Sequence, residues 1–226
     1  KGGVVNTLPG FDEGAWWVQD TAASLPVKLM GSIKGLKIGD LCAAPGGKTA
    51  QMLAMGAAVT SVDRSTKRVR ILETNLNRLG FVAEVRCEDV LNWRPTGLYD
   101  AIMIDAPCTA TGTIRRHPDI QWVRSATDVM QAQKIQKSLL SAAVRMIKPK
   151  GTIIYVSCSL QPEEGTQVVN SVLSSFKNLH RDPVNPEELM GNKDLITDEG
   201  DLRTLPSHMS ELGGMDGFYA ARLVYG

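Results

Sequence analysis

The sequence predicts an α/β fold in which helices cover both faces of a doubly wound, mostly parallel sheet. From about residue 36, short apolar runs alternate with longer amphipathic segments, and most runs end at a polar or turn-forming residue. The chain of 226 residues is long enough for one such domain with a full core. We expect residues 1–35 to form a lead-in or lid and residues 36–226 to form the main domain.

The elements of the main domain follow in order along the chain. Predicted parallel strands cover residues 36–42, 58–63, 83–87, 99–105 and 151–158, and predicted helices cover 48–55, 66–79 and 125–147. Basic residues followed by Pro and Gly, in Lys148-Pro149-Lys150-Gly151, are typical of a helix end before a strand. Beyond residue 176 the pattern weakens. Residues 218–225 predict a final strand that pairs antiparallel at the edge of the sheet.

Composition narrows the function classes. Lys and Arg total 25 against 24 Asp and Glu, so any contact with nucleic acid must use a local patch. The four cysteines lack C-x-x-C spacing, which disfavours a zinc site and a disulfide framework. No apolar run approaches the roughly 18 residues that cross a bilayer. We expect a cytoplasmic monomer without metal or membrane contact, and the missing initial Met predicts a fragment.

A loop of small residues follows the first predicted strand, where ligands bind in open parallel sheets. Its residues are Cys42, Ala43, Ala44, Pro45, Gly46, Gly47 and Lys48. The two glycines allow the backbone to come close to a ligand. The Gly-Gly-Lys-Thr ending is similar to a phosphate-binding loop, but Cys42 stands where that motif requires a glycine. A nucleotide triphosphatase is therefore the weaker interpretation.

Three carboxylates follow the next predicted strands at the same edge of the sheet. Asp63 ends the second strand, Asp89 closes the third and Asp105 ends the fourth. Alone, Asp63 could be only a helix cap. Together with the glycine loop, the three acids suit an adenosine with a cationic, amine-bearing tail, because they accept from ribose, adenine and ammonium groups. S-adenosylmethionine is such a ligand.

Two cysteines follow the fourth and fifth predicted strands. Cys108 lies in Asp-Ala-Pro-Cys and Cys158 in Ser-Cys-Ser, so we expect both thiols to face one cleft. A thiolate is an intrinsically strong nucleophile, although a lone cysteine at a strand end usually fills the core. A pair beside a carboxylate favours the catalytic interpretation. Cys42 and Cys87 lie within strand-like runs and are assigned to packing.

On these motifs the chain resembles the NOP/SUN family of RNA cytosine-5 methyltransferases, and especially members that modify small-subunit ribosomal RNA. The resemblance covers most of the chain. It includes the glycine loop, the segment 105–112 and the segment 155–159. It also includes Arg-Arg-His-Pro-Asp at 115–119 with Trp122, and Asp-Gly-Phe-Tyr at 216–219. It implies a Rossmann-like class I methyltransferase fold and an RNA-binding domain upstream of residue 1.

The resemblance also implies a mechanism. Cys158 would attack carbon 6 of cytosine, Asp105 would hold the polar edge of the base, and Cys108 would assist release of the product. S-adenosylmethionine would lie on residues 42–48, with Asp63 at the ribose, Asp89 near the adenine and Asp105 shared with the base. Lys48 would approach the base and the cofactor, the alternative being a solvated residue of the first helical turn. The residues alone do not choose between the cysteines, because DNA enzymes use the Pro-Cys cysteine.

A basic cluster with an aromatic side chain follows the Cys108 loop and predicts RNA contacts. Its residues are Arg115, Arg116, His117, Trp122 and Arg124, the alternative being a solvated charged loop. The helix that follows Asp63 carries three basic residues that we interpret mainly as surface charges, namely Lys67, Arg68 and Arg70. One of them could reach the cofactor.

The expected substrate is 16S rRNA, with tRNA or another rRNA as the alternative. A DNA cytosine-5 methyltransferase is disfavoured by the Ser-Cys-Ser motif. A nucleotide-binding module is suggested only by residues 46–49, and a non-catalytic scaffold is disfavoured by the two cysteines and Asp105.

Overall fold

The computed structural model describes residues 4–226, and within that range eight strands form one sheet. The strands are β1 (Lys37–Leu41), β2 (Ala58–Asp63), β3 (Glu84–Cys87), β4 (Tyr99–Asp105), β5 (Ile147–Ser157), β6 (Leu179–Arg181), β7 (Leu202–Arg203) and β8 (Tyr219–Tyr225). The helices are α1 (Thr21–Lys28), α2 (Gly47–Ala54), α3 (Thr66–Arg78), α4 (Ile120–Val123), α5 (Ala126–Val144) and α6 (Thr166–Leu173). Residues 1–3 of the predicted lead-in lie outside the described residues.

The strand order is β3-β2-β1-β4-β5-β8-β6, with β7 also paired to β8. The first five strands run parallel, and β8 runs antiparallel to β5. The mostly parallel sheet with an antiparallel C-terminal strand is therefore confirmed. Two short strands that the sequence pattern did not predict, β6 and β7, pair with the other side of β8. The order reverses between β1 and β4, which is where ligands bind in open α/β sheets.

The start of β5 differs from the prediction. Residues 148–151 were expected to end a helix, but β5 already begins at Ile147. Tyr99 pairs with Ile147, and the register then shifts so that Ala101 pairs with Thr152. Lys150 has a positive φ of 64°, and the Lys148 ammonium lies 2.7 Å from an Asp100 carboxylate oxygen. The segment is thus an irregular stretch of strand, held to β4 by main-chain pairing and an ion pair.

Alternating residues of the central strands face two apolar clusters. Ile102 and Ile104 of β4 lie in the cluster that includes residues of α5 and α6. Ala101 and Met103 lie in the opposite cluster, which includes residues of α1 and α2. Burial on both faces explains why residues 101–104 of β4 are continuously apolar. No helix within residues 4–226 combines the length and apolar character needed to cross a membrane.

Candidate active site

The carboxyl ends of β1, β2 and β4 bring the glycine loop and two of the predicted acids together. Gly46 adopts a φ of 101°, which favours glycine, and caps α2 without a side-chain hydrogen bond. A Cβ built on Gly47 would meet no heavy atom within 4 Å. The loop backbone therefore borders open space at the point where the strand order reverses.

Two cavities adjoin this loop. The first is lined by the acids Asp63 and Asp89 and by a largely apolar wall that includes Cys42, Val90, Leu91, Pro107 and Leu139. The second has a volume of about 600 Å³ and contains Lys48 and Asp105 together with residues of the lead-in. The remaining lining residues include Ala43, Pro45, Gly47, Arg116, Asp216 and Phe218. Polar acceptors and apolar walls at neighbouring strand ends suit a nucleoside with a polar tail.

Asp63 is buried and stabilises the loop beside it. Its carboxylate accepts hydrogen bonds from the backbone N–H groups of Ala44 (3.3 Å) and Ser65 (3.0 Å). Ser65, not Asp63, is the N-cap of α3. The alternative that Asp63 is only a helix cap is therefore wrong. Arg68 Nη1 lies 3.3 Å from Asp63 Oδ2, so this arginine is not simply a surface charge.

Asp89 lies two residues beyond β3, and its carboxylate contacts the backbone that follows it. Asp89 Oδ1 accepts a hydrogen bond from the Leu91 backbone N–H at 3.0 Å. The side chain borders the same cavity as Asp63, in agreement with its predicted position at this edge of the sheet.

Lys48 and Asp105 form an ion pair in the second cavity. Lys48 Nζ donates to Asp105 Oδ2 at 2.8 Å, and Lys48 is only 7% exposed. The same ammonium lies 5.2 Å from the centre of the Phe218 ring. The alternative of a solvated first-turn lysine is therefore wrong. This lysine instead places a positive charge beside a carboxylate that is itself partly exposed to the cleft.

Cys108 and Cys158 lie beside each other at the strand ends, with their Sγ atoms 3.2 Å apart. The hydrogen bond between the thiols lowers the pKa of Cys108, whereas the same bond and burial raise the pKa of Cys158 well above its ordinary value. The charge of Asp105 further raises the Cys158 pKa and that of Lys48 lowers it. The ion pair thus acts electrostatically on Cys158, but the expectation that both thiols face the cleft is not met, because neither cysteine is among the residues that line it.

The other two cysteines differ from each other. Cys42 packs against the core cluster, and burial raises the pKa of its thiol to about 12. Cys87 is exposed, so its assignment to packing is wrong. The physical reason is that β3 is the edge strand of the sheet and its residues are mostly exposed.

The predicted RNA-binding residues fall into two groups. Arg116 and Arg115 pair with the fully buried carboxylate of Asp216, at 2.5 Å and 3.4 Å respectively, and Arg115 also pairs with Asp20 at 3.0 Å. Trp122 is 82% exposed, and the remaining members, His117 and Arg124, are exposed. Arg116 therefore lines the cleft and Arg115 is held near it by acids, whereas His117, Trp122 and Arg124 form an exposed rim without such ion pairs among the described residues.

Two buried acids near the site were not assigned by sequence reasoning. Asp216 belongs to the Asp-Gly-Phe-Tyr motif, which was noted without a role. Glu164 follows β5 in a short turn and lies in none of the motifs that carry the resemblance. A buried acid near the cysteines gives no local pattern, because its partners come from distant parts of the chain.

Solved structures with the same fold define the class of protein. A methyltransferase homologue from Pyrococcus horikoshii superposes with a TM-score of 0.78 and 25% identity, over 100% of this chain and 73% of that chain. NSun6 from Pyrococcus horikoshii superposes with a TM-score of 0.82 and 24% identity, over 99% of this chain and 56% of that chain. The fold and the strand-end cleft place the chain in the Rossmann-like fold class to which these methyltransferase structures belong.

Sequence comparisons identify the family within this class. The family model described as 16S rRNA methyltransferase RsmB/F matches residues 32–224, and the chain belongs to this family. Ribosomal RNA small subunit methyltransferase B from Photorhabdus laumondii is 38% identical over an alignment of 224 residues. The alignment covers 97% of this chain and 49% of that protein. The resemblance to the NOP/SUN family is confirmed. The chain spans about half the length of such curated relatives.

Proposed function

We propose that this chain is the catalytic domain of a methyltransferase that modifies carbon 5 of cytosine in RNA, with 16S rRNA as its substrate. The observation that carries the proposal is the pair of thiols 3.2 Å apart, electrostatically coupled to the Lys48–Asp105 ion pair. Family membership supports the methyl transfer, and the names of the curated relatives support a ribosomal RNA of the small subunit.

S-adenosylmethionine would bind in the two cavities and along the loop that adjoins them. Bound S-adenosylmethionine supplies an electrophilic methyl group. Asp63 and Asp89 would accept from its ribose and adenine, and the open backbone of residues 42–48 would lie along it. The open space at Gly47 and the acids at the strand ends fit such a ligand. Asp105 would face both the cofactor and the base, since it lines the second cavity.

The cysteines have distinct roles in the proposed reaction. The Cys158 thiolate forms a bond to carbon 6 of the cytosine, which moves an electron pair toward carbon 5 and makes that carbon nucleophilic. Asp105 and Lys48 hold the polar edge of the base and stabilise the charge that develops on the ring. After methylation, loss of the carbon 5 proton and breakage of the Sγ–C6 bond restore the aromatic ring. Cys108 assists this release from its position beside Cys158.

Substituting each cysteine tests these roles. Cys158→Ala should abolish turnover and covalent RNA binding, whereas Cys108→Ala should accumulate a denaturant-resistant protein–RNA complex on electrophoresis. Cys87→Ala is the matched control, because this exposed cysteine lies on the far edge strand β3. A complex that accumulates in Cys158→Ala and not in Cys108→Ala would exchange the two roles, and no complex in any variant would exclude the mechanism.

Ligand and substrate assays separate the alternatives. S-adenosylhomocysteine should raise the melting temperature, whereas ATP with magnesium should not, since a ligand stabilises only a protein that binds it. The reverse result would favour a nucleotide-binding module. Methyl transfer to 16S rRNA, a tRNA transcript and duplex DNA should be compared directly. Modification of tRNA or DNA in preference to 16S rRNA would overturn the proposed substrate.

The RNA interface and the domain organisation are further parts of the proposal. His117, Trp122 and Arg124 form an exposed rim that offers charge and a stacking surface to RNA. Arg115 and Arg116 would contact RNA while remaining paired with acids. We also propose that residues 1–35 act as a lid of the domain 36–226, and that an RNA-binding region accompanies them in the whole protein. The cytoplasmic setting and the monomeric state stay predictions.

A further inference from the structure

Glu164 is a fully buried carboxylate beside the two cysteine loops. It accepts hydrogen bonds from the Thr109 backbone N–H (2.9 Å), Ser159 Oγ (2.6 Å) and Gln136 Nε2 (3.0 Å). Thr109 Oγ1 donates a further, short hydrogen bond to it. Within residues 4–226, no lysine or arginine forms an ion pair with this carboxylate. Its charge is therefore stabilised by neutral donors alone.

The donors connect Glu164 to both cysteines. Thr109 directly follows Cys108, and Ser159 directly follows Cys158. One carboxylate thus holds the neighbours of both thiols. Because each donor is buried and directed at the same two oxygens, a shift of either loop would break a hydrogen bond to an ionised acceptor.

Further contacts fix Glu164 itself and the loops that it holds. The Tyr155 hydroxyl donates to the Glu164 backbone carbonyl at 2.8 Å, which ties the turn to β5. Gln136 of α5 also donates to the Pro107 carbonyl at 3.0 Å. The Gly112 backbone N–H donates to the Cys158 carbonyl at 2.9 Å. The two loops are therefore fastened to one another as well as to the carboxylate.

We propose that Glu164 is a positioning residue that sets the separation of the Cys108 and Cys158 thiols and thereby controls release of the methylated base. The inference rests on the proposed function. An ionised glutamate offers only acceptors, which matches the four donors around it. A glutamine at this position would turn its NH2 group toward at least one of them. The loops would then separate or rotate, and the thiols would lose their close contact.

The test compares covalent bond formation with release in single-turnover experiments on RNA with S-adenosylmethionine. Glu164→Gln should slow release about tenfold relative to formation, the effect expected from losing one hydrogen bond to an ionised acceptor. The denaturant-resistant complex should then accumulate although Cys108 is intact. Glu164→Asp, which keeps the charge, should restore part of the release rate.

Glu188→Gln is the matched control. Glu188 anchors a different loop through Arg222, with an Nη1–Oε1 distance of 2.5 Å, and contacts neither cysteine loop. Its substitution should lower the melting temperature and leave the ratio of release to formation unchanged. The same unchanged ratio in Glu164→Gln would overturn the inference and assign Glu164 a purely structural role.

A milder variant keeps the test decisive if Glu164→Gln does not fold. Thr109→Val preserves the shape of the side chain and the backbone N–H donor, and removes only the hydroxyl donor. It should shift the same ratio in the same direction by a smaller factor, and an unchanged ratio would contradict the inference. Failure of the proposed function is distinguishable, because Cys108→Ala would then form no covalent complex at all.

Discussion

At the scale of single residues, the thiols of Cys108 and Cys158 ionise as a pair. Their hydrogen bond lowers the pKa of Cys108 and raises that of Cys158, which favours ionisation of Cys108 before Cys158. If Cys158 attacks the base, its proton must leave first. The Cys108 sulfur, 3.2 Å away, lies within hydrogen-bond distance and could receive it. Cys108 would then hold the proton during attack as well as assisting release.

Removing Cys108 should therefore make Cys158 more acidic. In Cys108→Ala the largest cause of the raised Cys158 pKa is gone, so its alkylation by iodoacetamide should begin at lower pH than in the unmodified protein. The measurement is the initial rate of Cys158 modification against pH, followed by peptide mass mapping. Cys87, which is exposed, supplies an internal control whose profile should not change. An unchanged Cys158 profile would show that the thiols are not coupled.

Part of the site could be predicted from the sequence. Asp63, Asp105, Cys108 and Cys158 lie at or just after strand ends, so their meeting at one edge follows from the geometry of a parallel sheet. The pairing of Arg116 with Asp216 joins residues 100 positions apart and has no local pattern. The hydrogen bonds of Glu164 likewise depend on how two loops and α5 meet.

At the scale of elements, β2 and β4 were predicted with their observed bounds. Both lie between other strands and end at an aspartate, and β4 carries the continuous apolar run 101–104, which gives a strong pattern. β6 and β7 contain only three and two residues, too few to show an alternation. Their strand conformation comes from pairing with β8, which is a tertiary effect. α6 was also not predicted, although its valines face the core.

Asp40 of β1 makes the folding stability of the protein depend on pH. Its side chain is fully buried, Thr49 Oγ1 donates to Oδ2 at 2.5 Å, and Oδ1 has no hydrogen-bond partner among residues 4–226. Burial raises the pKa of Asp40 to about 7. An unfolded aspartate ionises near pH 4, so between about pH 4 and about pH 7 the folded state binds more protons. Stability from this residue is therefore present at acid pH and declines as pH rises through that window.

Asp40→Asn should remove this decline. Its free energy of unfolding relative to the unmodified protein should rise between about pH 5 and about pH 7, by at most about 1.4 kcal/mol per pH unit, and then level off. Urea denaturation at several pH values measures the difference. Asp100→Asn is the control, because the hydrogen bond from Lys148 lowers the pKa of Asp100 and its contribution is constant across that range. A pH-independent difference for Asp40→Asn would contradict the prediction.

At the scale of the whole molecule, the lead-in contributes to both the core and the cleft. Leu25, Val27 and Leu29 are buried in the cluster that also contains Met103 of the central strand β4. Residues 18–21 and Ala23 line the cavity that contains Lys48 and Asp105. A segment with this much buried surface is expected to unfold together with the rest of the domain.

Asp20 connects the lead-in to the cleft. Substituting it therefore tests whether the lead-in unfolds cooperatively with the rest of the domain. Its Oδ1 caps α1 through the Ala22 backbone N–H (2.9 Å) and accepts from the Asp216 backbone N–H (3.1 Å), while Oδ2 accepts from Arg115 (3.0 Å). Asp20→Ala should lower the free energy of unfolding by about 1 to 2 kcal/mol, since it loses a helix cap and a link to Asp216. Ser65→Ala, which removes the N-cap of α3, is the control for loss of a cap alone.

A double-mutant cycle then separates the cap from the link between segments. Asp20→Ala and Arg115→Ala should be non-additive in urea denaturation by on the order of 0.5 to 1 kcal/mol, because both remove the same partly exposed ion pair. Ser65→Ala and Arg115→Ala should be additive. If Asp20 and Arg115 were also additive, or if a separate early transition reported by Trp17 fluorescence preceded the main one, the lead-in would unfold on its own. It would then be a movable lid and not part of the cooperative domain that forms the cleft.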